Sequence, residues 1–456
     1  MRRWMEGLLP MARAAGHRMR DGMGEVGGPY PIEAVVAEII ARCEARRMSL
    51  RAVMESYFRR NPHLLGAKGL ARAYAAGVLR SFRLLDEIAR QVLGLEPRRM
   101  GAFERNLLRA LLYEAKFRPV SPGRVAGVAR RYGLPLGERD VHLAREVEAE
   151  DLARGRGEVA ALALKYSQPD WVVEYLLKLL GRREAEELLK AFNRNPTVWL
   201  RVNTLRISAG ELASRLARRG LLVEPDGDFP FLLRVVKGSV SPTQVPEHDR
   251  GLFYVQDKAS VLAAYALGGE GVVADLTAAP GGKASLLHQL HLAEVVAVDL
   301  RRPRLGVMRR LLGRLGAWGV YAVNADSTRP PLRGQFRRIL LDPDCTSLGR
   351  LGHSPEIRLW VKPEHVRTYS AEQRRLLRAA GELLARGGEL VYSTCTFTLE
   401  EDEENVRWAQ EVLGLEPVEV SPRIGLPGLL GVTAAQRLYP HLHRTVGFFV
   451  AKLRKE

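Results

Sequence analysis

Cysteine is scarce in this chain, since its 456 residues include only Cys43, Cys345 and Cys395. Three cysteines at these spacings form neither a CxxC-type zinc site nor a disulfide framework. Proteins that avoid disulfides are typical of reducing compartments. We therefore expect a cytoplasmic location.

Long apolar runs are also absent. No stretch approaches the roughly 20 apolar residues that a membrane-spanning helix requires. The first thirty residues carry Arg2 and Arg3, and their apolar stretch 7–15 is short and interrupted by Pro10 and Arg13. This pattern differs from an export signal. We expect no membrane association and interpret residues 1–29 as a loose basic leader.

Acidic residues are too few to balance the basic ones. The chain has 70 Lys and Arg against 52 Asp and Glu, which gives a formal net charge of +18. Such an excess favours a polyanionic partner, above all a nucleic acid. The alternative is an arginine-rich, solvated surface of a heat-adapted protein. Charge alone leaves both interpretations open.

The chain is long enough for two to four domains. Apolar residues recur every three or four positions up to about residue 154, which predicts an all-helical domain over 30–158 with Cys43 in its core. The charged stretch 146–157 is typical of a link between domains. Mixed helical and strand patterns then predict a small α+β domain over 159–250.

From residue 251 onward, short apolar runs alternate with helical segments. The predicted strands are 272–276, 295–300, 320–324, 339–341 and 390–393. This order is typical of an α/β domain with a doubly wound, mostly parallel sheet, here 251–456. A helix over 371–386, capped by Ser370 and ended by Gly387, should lead into the last strand.

A glycine-rich turn follows the first of these strands, between Asp275 and Lys283. Such a turn lets the backbone approach a ligand, and the amides that begin the next helix can bind a carboxylate or phosphate. The turn matches neither G-x-G-x-x-G nor G-x-x-x-x-G-K-[ST]. It therefore predicts a ligand other than a dinucleotide or a nucleoside triphosphate.

Aspartates follow the next two strands. Asp299 is placed to accept hydrogen bonds from ribose hydroxyls, and Asp326 to lie near an adenine amino group. Each aspartate taken singly is more often a turn residue. In this order after the glycine turn, they fit S-adenosylmethionine, which we expect as the cofactor.

Two of the three cysteines end the fourth and fifth predicted strands. Cys345 follows Asp342, and Cys395 follows Ser393 and Thr394. The carboxyl ends of parallel strands meet at one edge, so both thiols should face the cofactor. Carbon 5 of cytosine attacks a sulfonium methyl once a thiolate has added at carbon 6. The pattern predicts a covalent cytosine methyltransferase in which Asp342 bonds the N3 edge of a flipped-out base.

Two other patterns are less informative. His441 and His443 have no third ligand nearby in the sequence, so we predict no metal site. The basic tract 301–314 is consistent with phosphate contact and equally with a solvated helix face.

With these motifs in hand, the chain resembles the RsmB/Nop/Sun family of RNA cytosine-5 methyltransferases over about residues 160–454. The segment 277–283 is similar to the family's first cofactor motif, C-A-A-P-G-G-K, with Thr277 replacing the cysteine. The later motifs that carry the resemblance are Val298-Asp299 with Arg304, Asn324-Ala325-Asp326, and Tyr392-Ser393-Thr394-Cys395 with the acidic tail 400–405.

The resemblance extends on both sides of this unit. Residues 193–204 are similar to the family's RNA-binding lead-in, and 254–260 to its Q-D-x-A-S element. The helical domain has a weaker similarity to the NusB-like domain of some members. That similarity implies a second RNA-binding domain.

The resemblance implies a Rossmann-like class I methyltransferase domain in which Cys395 attacks the base and Cys345 assists product release. The cofactor contacts that it implies are Thr277, Ala278, Ala279, Pro280, Gly281, Gly282, Lys283, Asp299, Arg304, Asp326 and Asp342. One position departs from the family, which has proline where this chain has Asp344. We expect this carboxylate to raise the pKa of Cys345 and to slow product release.

Two further functions are compatible with parts of the sequence. A DNA cytosine-5 methyltransferase would attack through Cys345, and a non-catalytic RNA-binding assembly factor would not need the cofactor turn. The ordered motifs favour an RNA methyltransferase, expected as a monomer. Ribosomal and transfer RNA both remain open as its substrate.

Overall fold

The computed structural model describes residues 31–269 and 271–456. The predicted basic leader 1–29 lies outside the described residues.

The amino-terminal part is helical, in agreement with its apolar periodicity. Its helices are α1 (Ile32–Arg46), α2 (Leu50–Arg60), α3 (Lys68–Leu93), α4 (Ala102–Phe117), α5 (Pro122–Arg131), α6 (Glu138–Glu146), α7 (Ala149–Ala153) and α8 (Glu158–Lys165), with 3-10 turns at Pro62–Ala67 and Pro97–Arg99. Helices α1 and α3 both pack on α4. Cys43 is fully buried in this core, as predicted.

A long bent helix follows. The sequence predicts two helices, 171–180 and 183–192, and the structure has one element, α9 (Asp170–Asn193), with a kink at Gly181. Gly181 has φ +74°, a left-handed conformation that interrupts the helix and that glycine adopts without a Cβ clash. The predicted break is therefore present as a kink.

A small antiparallel sheet comes next, with strand order β2-β3-β1-β4. Its elements are β1 (Trp199–Val202), α10 (Ala209–Arg218), β2 (Leu221–Pro225), β3 (Leu232–Gly238), a 3-10 turn (Pro242–Gln244), α11 (Pro246–Asp249) and β4 (Phe253–Val255). The spacing of Ser208 and Glu211 predicts a capped helix start, and Ser208 does cap α10, because its hydroxyl accepts a hydrogen bond from the amide of Glu211 at 3.2 Å. These elements form the predicted α+β unit.

The remaining chain is built on a nine-stranded sheet. Its helices and strands are α12 (Lys258–Leu267), β5 (Val272–Asp275), α13 (Gly282–His291), β6 (Glu294–Asp299), α14 (Arg302–Leu315), β7 (Val320–Asn324), β8 (Phe336–Leu341), 3-10 turns (Leu348–Arg350, Pro355–Leu359), α15 (Pro363–Leu383), β9 (Leu384–Thr394), α16 (Glu403–Leu413), β10 (Leu415–Val418), β11 (Leu426–Pro427), β12 (Gln436–Leu438), α17 (Pro440–His443) and β13 (Phe448–Lys455). The strand order is β11-β12-β13-β9-β8-β5-β6-β7, and β10 pairs with β13.

The centre of this sheet is parallel. Strands β7, β6, β5, β8 and β9 pair in parallel, whereas β13 is antiparallel to β9. The order reverses at β5, which lies between β6 and β8, so the carboxyl ends of β5, β6 and β8 surround one crevice. The predicted mixed α/β fold with a mostly parallel sheet is confirmed.

Helices cover both faces of the sheet. Residues of α12, α13 and α14 share one core with the small antiparallel sheet. Residues of α15 and α16 form a second core on the other face. No helix within the described residues is long and apolar enough to span a membrane. The limits of the three predicted domains stay a prediction.

The predicted bounds of one helix are wrong. Helix α15 begins at Pro363 and ends at Leu383, not at 371 and 386. Ser370 is no cap, because its hydroxyl donates to the carbonyl oxygen of Glu400 at 2.8 Å. Residues 384–388 already belong to β9, where Phe336 of β8 pairs with Leu384. Pairing with the sheet therefore outweighs the local helical preference.

A buried cation stabilises the loop that follows β9. The side chain of Arg437 is 2% exposed, pairs with Glu403 and donates to the carbonyl oxygen of Phe397 at 2.9 Å. Replacing it with methionine leaves two buried carboxylates, Asp402 and Glu403, without their partner. We expect R437M to lower the free energy of unfolding by about 3–5 kcal/mol in urea denaturation.

Arg454 provides the matched control, because it pairs with Glu389 at 2.8 Å while its side chain is 51% exposed. R454M should lower the free energy of unfolding by less than about 1 kcal/mol. Equal losses in the free energy of unfolding of R437M and R454M would show that the buried ion pair stabilises the protein no more than the exposed one.

Candidate functional site

The predicted glycine turn joins β5 to α13 at the crevice. Gly281 has φ +100°, and a Cβ there would lie 2.7 Å from Cγ of Met308. A Cβ on Gly282 would lie 3.0 Å from Cε1 of Tyr254. A side chain would therefore be strained at Gly281 and tightly packed at Gly282. The turn leaves the first amides of α13 without partners in the helix, which suits an anionic ligand.

Asp299 and Arg304 lie against this turn. Asp299 is 5% exposed, and its carboxylate accepts hydrogen bonds from the amides of Ala279 at 3.1 Å and Arg301 at 2.9 Å. Arg304 donates to the carbonyl oxygen of Ala279 at 2.6 Å. The end of β6 and the turn thus form one unit, as the order of the motifs predicts.

Asp326 is placed differently from the other cofactor residues. It is exposed, and one carboxylate oxygen accepts from the amide and the hydroxyl of Thr328, each at 2.8 Å. The amide, then the hydroxyl, hold its pKa below the usual range. The neighbouring Ser327 donates instead to the carbonyl oxygen of Leu276. Ser327, which the sequence analysis missed, therefore connects this segment to the turn.

Asp342 lies where the turn meets the end of β8. Its amide donates to the hydroxyl of Thr277 at 2.8 Å. Its carboxylate accepts hydrogen bonds from Lys283 and, at 2.7 Å, from the hydroxyl of Ser393. Thr277, which replaces a cysteine of the family motif, thus positions Asp342. The carboxylate links the cofactor turn to the strand that carries Cys395.

The two cysteines meet at this edge of the sheet. The Sγ atoms of Cys345 and Cys395 lie 3.3 Å apart. The hydroxyl of Ser347 lies 3.4 Å from Sγ of Cys395 and 3.9 Å from Sγ of Cys345. Cys345 is 7% exposed, and Cys395 is partly exposed. Cys395 is therefore the more accessible thiol of a contacting pair.

A buried network holds the two cysteine segments together. Thr346 and Thr396, each next to a cysteine, have hydroxyls 2.8 Å apart. The buried carboxylate of Glu401 accepts from the amide and hydroxyl of Thr346, from the hydroxyl of Thr398 at 2.9 Å and from the amide group of Gln373 at 3.0 Å. Apart from the acidic tail 400–405, no motif predicts this role of Glu401, because its partners are distant along the chain.

The surroundings of the two thiols shift their pKa values in opposite directions. Contact with Cys345, then the positive charge of Arg350 and the hydroxyl of Ser347, lower the pKa of Cys395 to about 7 against the effect of burial. Contact with Cys395, together with burial and the charge of Glu401, raises the pKa of Cys345 well above its usual value. Cys395 is therefore the more readily ionised thiol of the pair.

No group of three or more histidine, cysteine or carboxylate side chains suited to a metal ion occurs within residues 31–269 and 271–456. His441 instead lies 3.1 Å from the carboxylate of Glu184, and His443 accepts from the amide of Tyr439 at 2.8 Å.

Comparison with known proteins places this geometry in a family. Residues 264–454 match the family model of the 16S rRNA methyltransferase RsmB/F, and residues 168–240 match the ferredoxin-like domain of RsmF/B-like methyltransferases. The probable ribosomal RNA small subunit methyltransferase B of Synechocystis is 31% identical over 403 residues, which are 83% of this chain and 89% of the relative. The chain belongs to the RsmB/Nop/Sun family of RNA cytosine-5 methyltransferases.

Solved structures agree with this membership. The crystal structure of PH0851 covers 94% of this chain and 100% of its own, with a TM-score of 0.78 at 26% identity. NSun6 from Pyrococcus horikoshii with SFG, an analogue of S-adenosylmethionine, covers 63% of this chain and 98% of its own, with a TM-score of 0.59 at 28% identity. The predicted Rossmann-like methyltransferase fold is confirmed, and the NusB-like likeness stays a prediction.

The departure from the family motif at Asp344 does not act as predicted. The pKa of Cys345 is raised chiefly by contact with Cys395 and by burial, and the carboxylate among its causes is Glu401, not Asp344. Asp344 is directed to the solvent side, where it pairs with Arg301 at 3.1 Å and Arg304 at 3.5 Å. These two cations hold its charge away from the thiol, and slower product release stays a prediction.

The segment that resembles the family's RNA-binding lead-in is buried over residues 199–203. Arg201 is 1% exposed and donates to the carbonyl oxygen of Gly282 at 2.7 Å and the hydroxyl of Ser285 at 2.9 Å. Asn203 donates to the carbonyl oxygens of Gly251 and Leu315, each at 2.8 Å. These side chains therefore attach the small sheet to the start of α13 and the end of α14.

The acidity of Cys395 leads to a pH prediction. Because its pKa is lowered to about 7, the thiolate is populated above that pH and lost below it. We expect the single-turnover rate of methyl transfer to rise between about pH 6 and pH 8 and then level off. R350Q removes a positive charge and should move the midpoint upward, whereas R350K should retain it. A midpoint that is the same in all three proteins would exclude this electrostatic role.

Proposed function

We propose that this chain transfers a methyl group from S-adenosylmethionine to carbon 5 of a cytosine in small-subunit ribosomal RNA, with Cys395 as the nucleophile. The observation that carries the proposal is the pair of thiols, 3.3 Å apart, at the ends of two adjacent strands beside the glycine turn. A partly exposed thiol of pKa about 7 next to a protonated one suits covalent attack near neutral pH.

The donor groups at the crevice fit the proposed cofactor. The amides that begin α13 suit its carboxylate, and the buried Asp299 has oxygen lone pairs left for ribose hydroxyls. Asp326 and the backbone around it suit the adenine end. When bound, S-adenosylmethionine supplies an electrophilic methyl group. The residues proposed to hold it are Thr277, Ala278, Ala279, Pro280, Gly281, Gly282, Lys283, Asp299, Arg304, Asp326 and Asp342.

Cys395 begins the reaction. Its thiolate adds to carbon 6 of the flipped-out cytosine, and the electron pair of the carbon 5–carbon 6 double bond moves into the ring, so carbon 5 becomes nucleophilic. Asp342, held by Lys283 and Ser393, is proposed to bond the N3 and amino edge of the base. That contact positions the base, and the carboxylate accepts the hydrogen bond of N3 once N3 has taken a proton from solvent, which neutralises the negative charge that the thiolate adds to the ring.

Cys345 acts when the product leaves. After carbon 5 is methylated, a water molecule takes its proton, and the electrons of that C–H bond re-form the carbon 5–carbon 6 double bond and expel the sulfur of Cys395. The protonated Cys345 can donate a hydrogen bond to that sulfur, and this contact is the largest cause of the lowered pKa of Cys395. A thiolate of lower pKa is a better leaving group. Cys345 is therefore proposed to assist elimination.

The substrate class is supported by charge and by family. The formal charge of +18 suits a polyanion, and the matching family model is named for a 16S rRNA methyltransferase. The test is to incubate the protein with S-adenosylmethionine and small-subunit ribosomal RNA, transfer RNA or duplex DNA, and to analyse the nucleosides by mass spectrometry. We expect 5-methylcytosine in ribosomal RNA. Methylation confined to transfer RNA or DNA would overturn the proposed ribosomal RNA substrate. No methylation of any nucleic acid would overturn the proposed activity.

The chemistry of the pair also supports a cytoplasmic location. Two thiols in contact are readily joined in an oxidising compartment, and a disulfide would remove the nucleophile. We accordingly infer that the protein works in the cytoplasm, and the monomeric state stays a prediction.

A further inference from the structure

Helix α14 has a basic face that the cofactor site does not use. Residues 301–314 contain six arginines and no acidic residue. Arg301 and Arg304 pair with Asp344, and Arg314 donates to the carbonyl oxygen of His248. The other arginines are exposed and form no ion pair with any residue that the structure describes; they are Arg302, Arg309 and Arg310.

Two glycines lie on the same face. The helical repeat places Gly306 and Gly313 within the arc of the unpaired arginines, opposite the buried Met308, Leu311 and Leu315. A Cβ would meet nothing within 4 Å at Gly313, and at Gly306 only the far end of Arg310 at 3.8 Å. Packing within the protein therefore does not require either glycine. Each glycine destabilises a helix by about 1 kcal/mol relative to alanine. Because neither has a side chain, a ligand can approach the backbone closely on this face.

Exposed aromatic side chains lie beyond the end of this helix. Trp318 follows α14 by three residues and is 76% exposed, and Tyr321 on β7 is 51% exposed. Strand β7 is the last strand on its side of the sheet. Cations that follow one line together with exposed aromatic rings are the combination that binds single-stranded nucleic acid, through phosphates and stacked bases.

The line of cations begins at the reaction centre. Arg301, directly before α14, pairs with Asp344, which is the neighbour of Cys345. The helix then extends for about 21 Å away from the crevice, toward Trp318. We propose that α14 and Trp318 form a track for the single-stranded RNA that flanks the target cytosine, with Arg302, Arg309 and Arg310 on its phosphates and Trp318 against a base. This inference rests on the proposed RNA substrate.

The test compares the affinity of full-length variants for fluorescent oligocytidine RNA of about 20 nucleotides and of about 4 nucleotides. R309Q/R310Q should reduce the slope of log affinity against log salt for the longer RNA by about 1.4. W318A should weaken that complex by about 5- to 150-fold. Neither change should alter the affinity for the shorter RNA.

R337Q/R386Q is the matched control, because Arg337 and Arg386 are also exposed, lie at the start of β8 and β9, and have no ion pair among the described residues. Variants that bind the longer RNA like this control would overturn the track while leaving the proposed function intact. A wild-type protein that binds no RNA would overturn both. Loss of self-association in W318A, with RNA affinity unchanged, would instead assign the surface to a second copy of the chain and overturn the proposal.

Discussion

Replacing Cys395 with alanine is expected to lower methyl transfer by about 10³-fold or more, because the reaction loses its nucleophile. Replacing Cys345 with alanine should have a different outcome. The attack on carbon 6 still occurs, but the sulfur leaves slowly without its hydrogen-bond donor at 3.3 Å. A covalent complex of C345A with RNA should therefore accumulate and remain visible on a denaturing gel.

The double variant C345A/C395A is the control for this result, since it should form no complex. A complex that persists without Cys395 would show that another group attacks the base. A methyl-transfer rate that falls as far in C345A as in C395A, with no covalent complex in C345A, would indicate that Cys345 is the nucleophile. That result would favour the mechanism of a DNA cytosine-5 methyltransferase.

The second large effect is expected at Asp342. D342N removes a charge that is bonded to both Lys283 and Ser393 at the junction of the cofactor turn and the β9 end. We expect kcat/KM for RNA methylation to fall by about 10²- to 10⁴-fold, because the activated ring loses its partner. The measurement is the initial rate at several RNA concentrations.

D344A is the matched control, two residues along the same loop. Asp344 is exposed and pairs only with Arg301 and Arg304 among the described residues. Its removal should change kcat by less than about threefold, as is typical of surface ion pairs. A large fall in kcat with D344A and a small one with D342N would reverse the assignment of the two carboxylates.

The sequence alone was sufficient to predict which strand ends meet at the site. Alternating apolar runs and helices located the ends of β5, β6, β8 and β9 to within a few residues, and parallel strands bring such ends to one edge. For that reason Cys345, Cys395, Asp342 and the glycine turn could be predicted to converge. The scarcity of cysteine made two of them stand out.

The remaining features depend on contacts between distant segments. The start of β9 is decided by pairing with β8, which no local helical signal reveals. Asp344 turns away from Cys345 because Arg301 and Arg304, about forty residues earlier, attract it. The pKa of Cys345 is raised by contact with Cys395, by burial and by the charges of Cys395 and Glu401, which lie on later segments of the chain. Such partners follow from tertiary packing and not from a motif.

The central claim is most directly tested by locating the bond between protein and base. RNA that contains 5-fluorocytidine traps the complex, because a carbon 5 that carries fluorine and a methyl group has no proton to lose. Trypsin cleaves after Arg338, Arg350, Arg386 and Arg407, so the two cysteines fall in different peptides. Mass spectrometry of wild-type protein should find the nucleotide on peptide 387–407, which contains Cys395. A nucleotide on peptide 339–350, which contains Cys345, would contradict the mechanism.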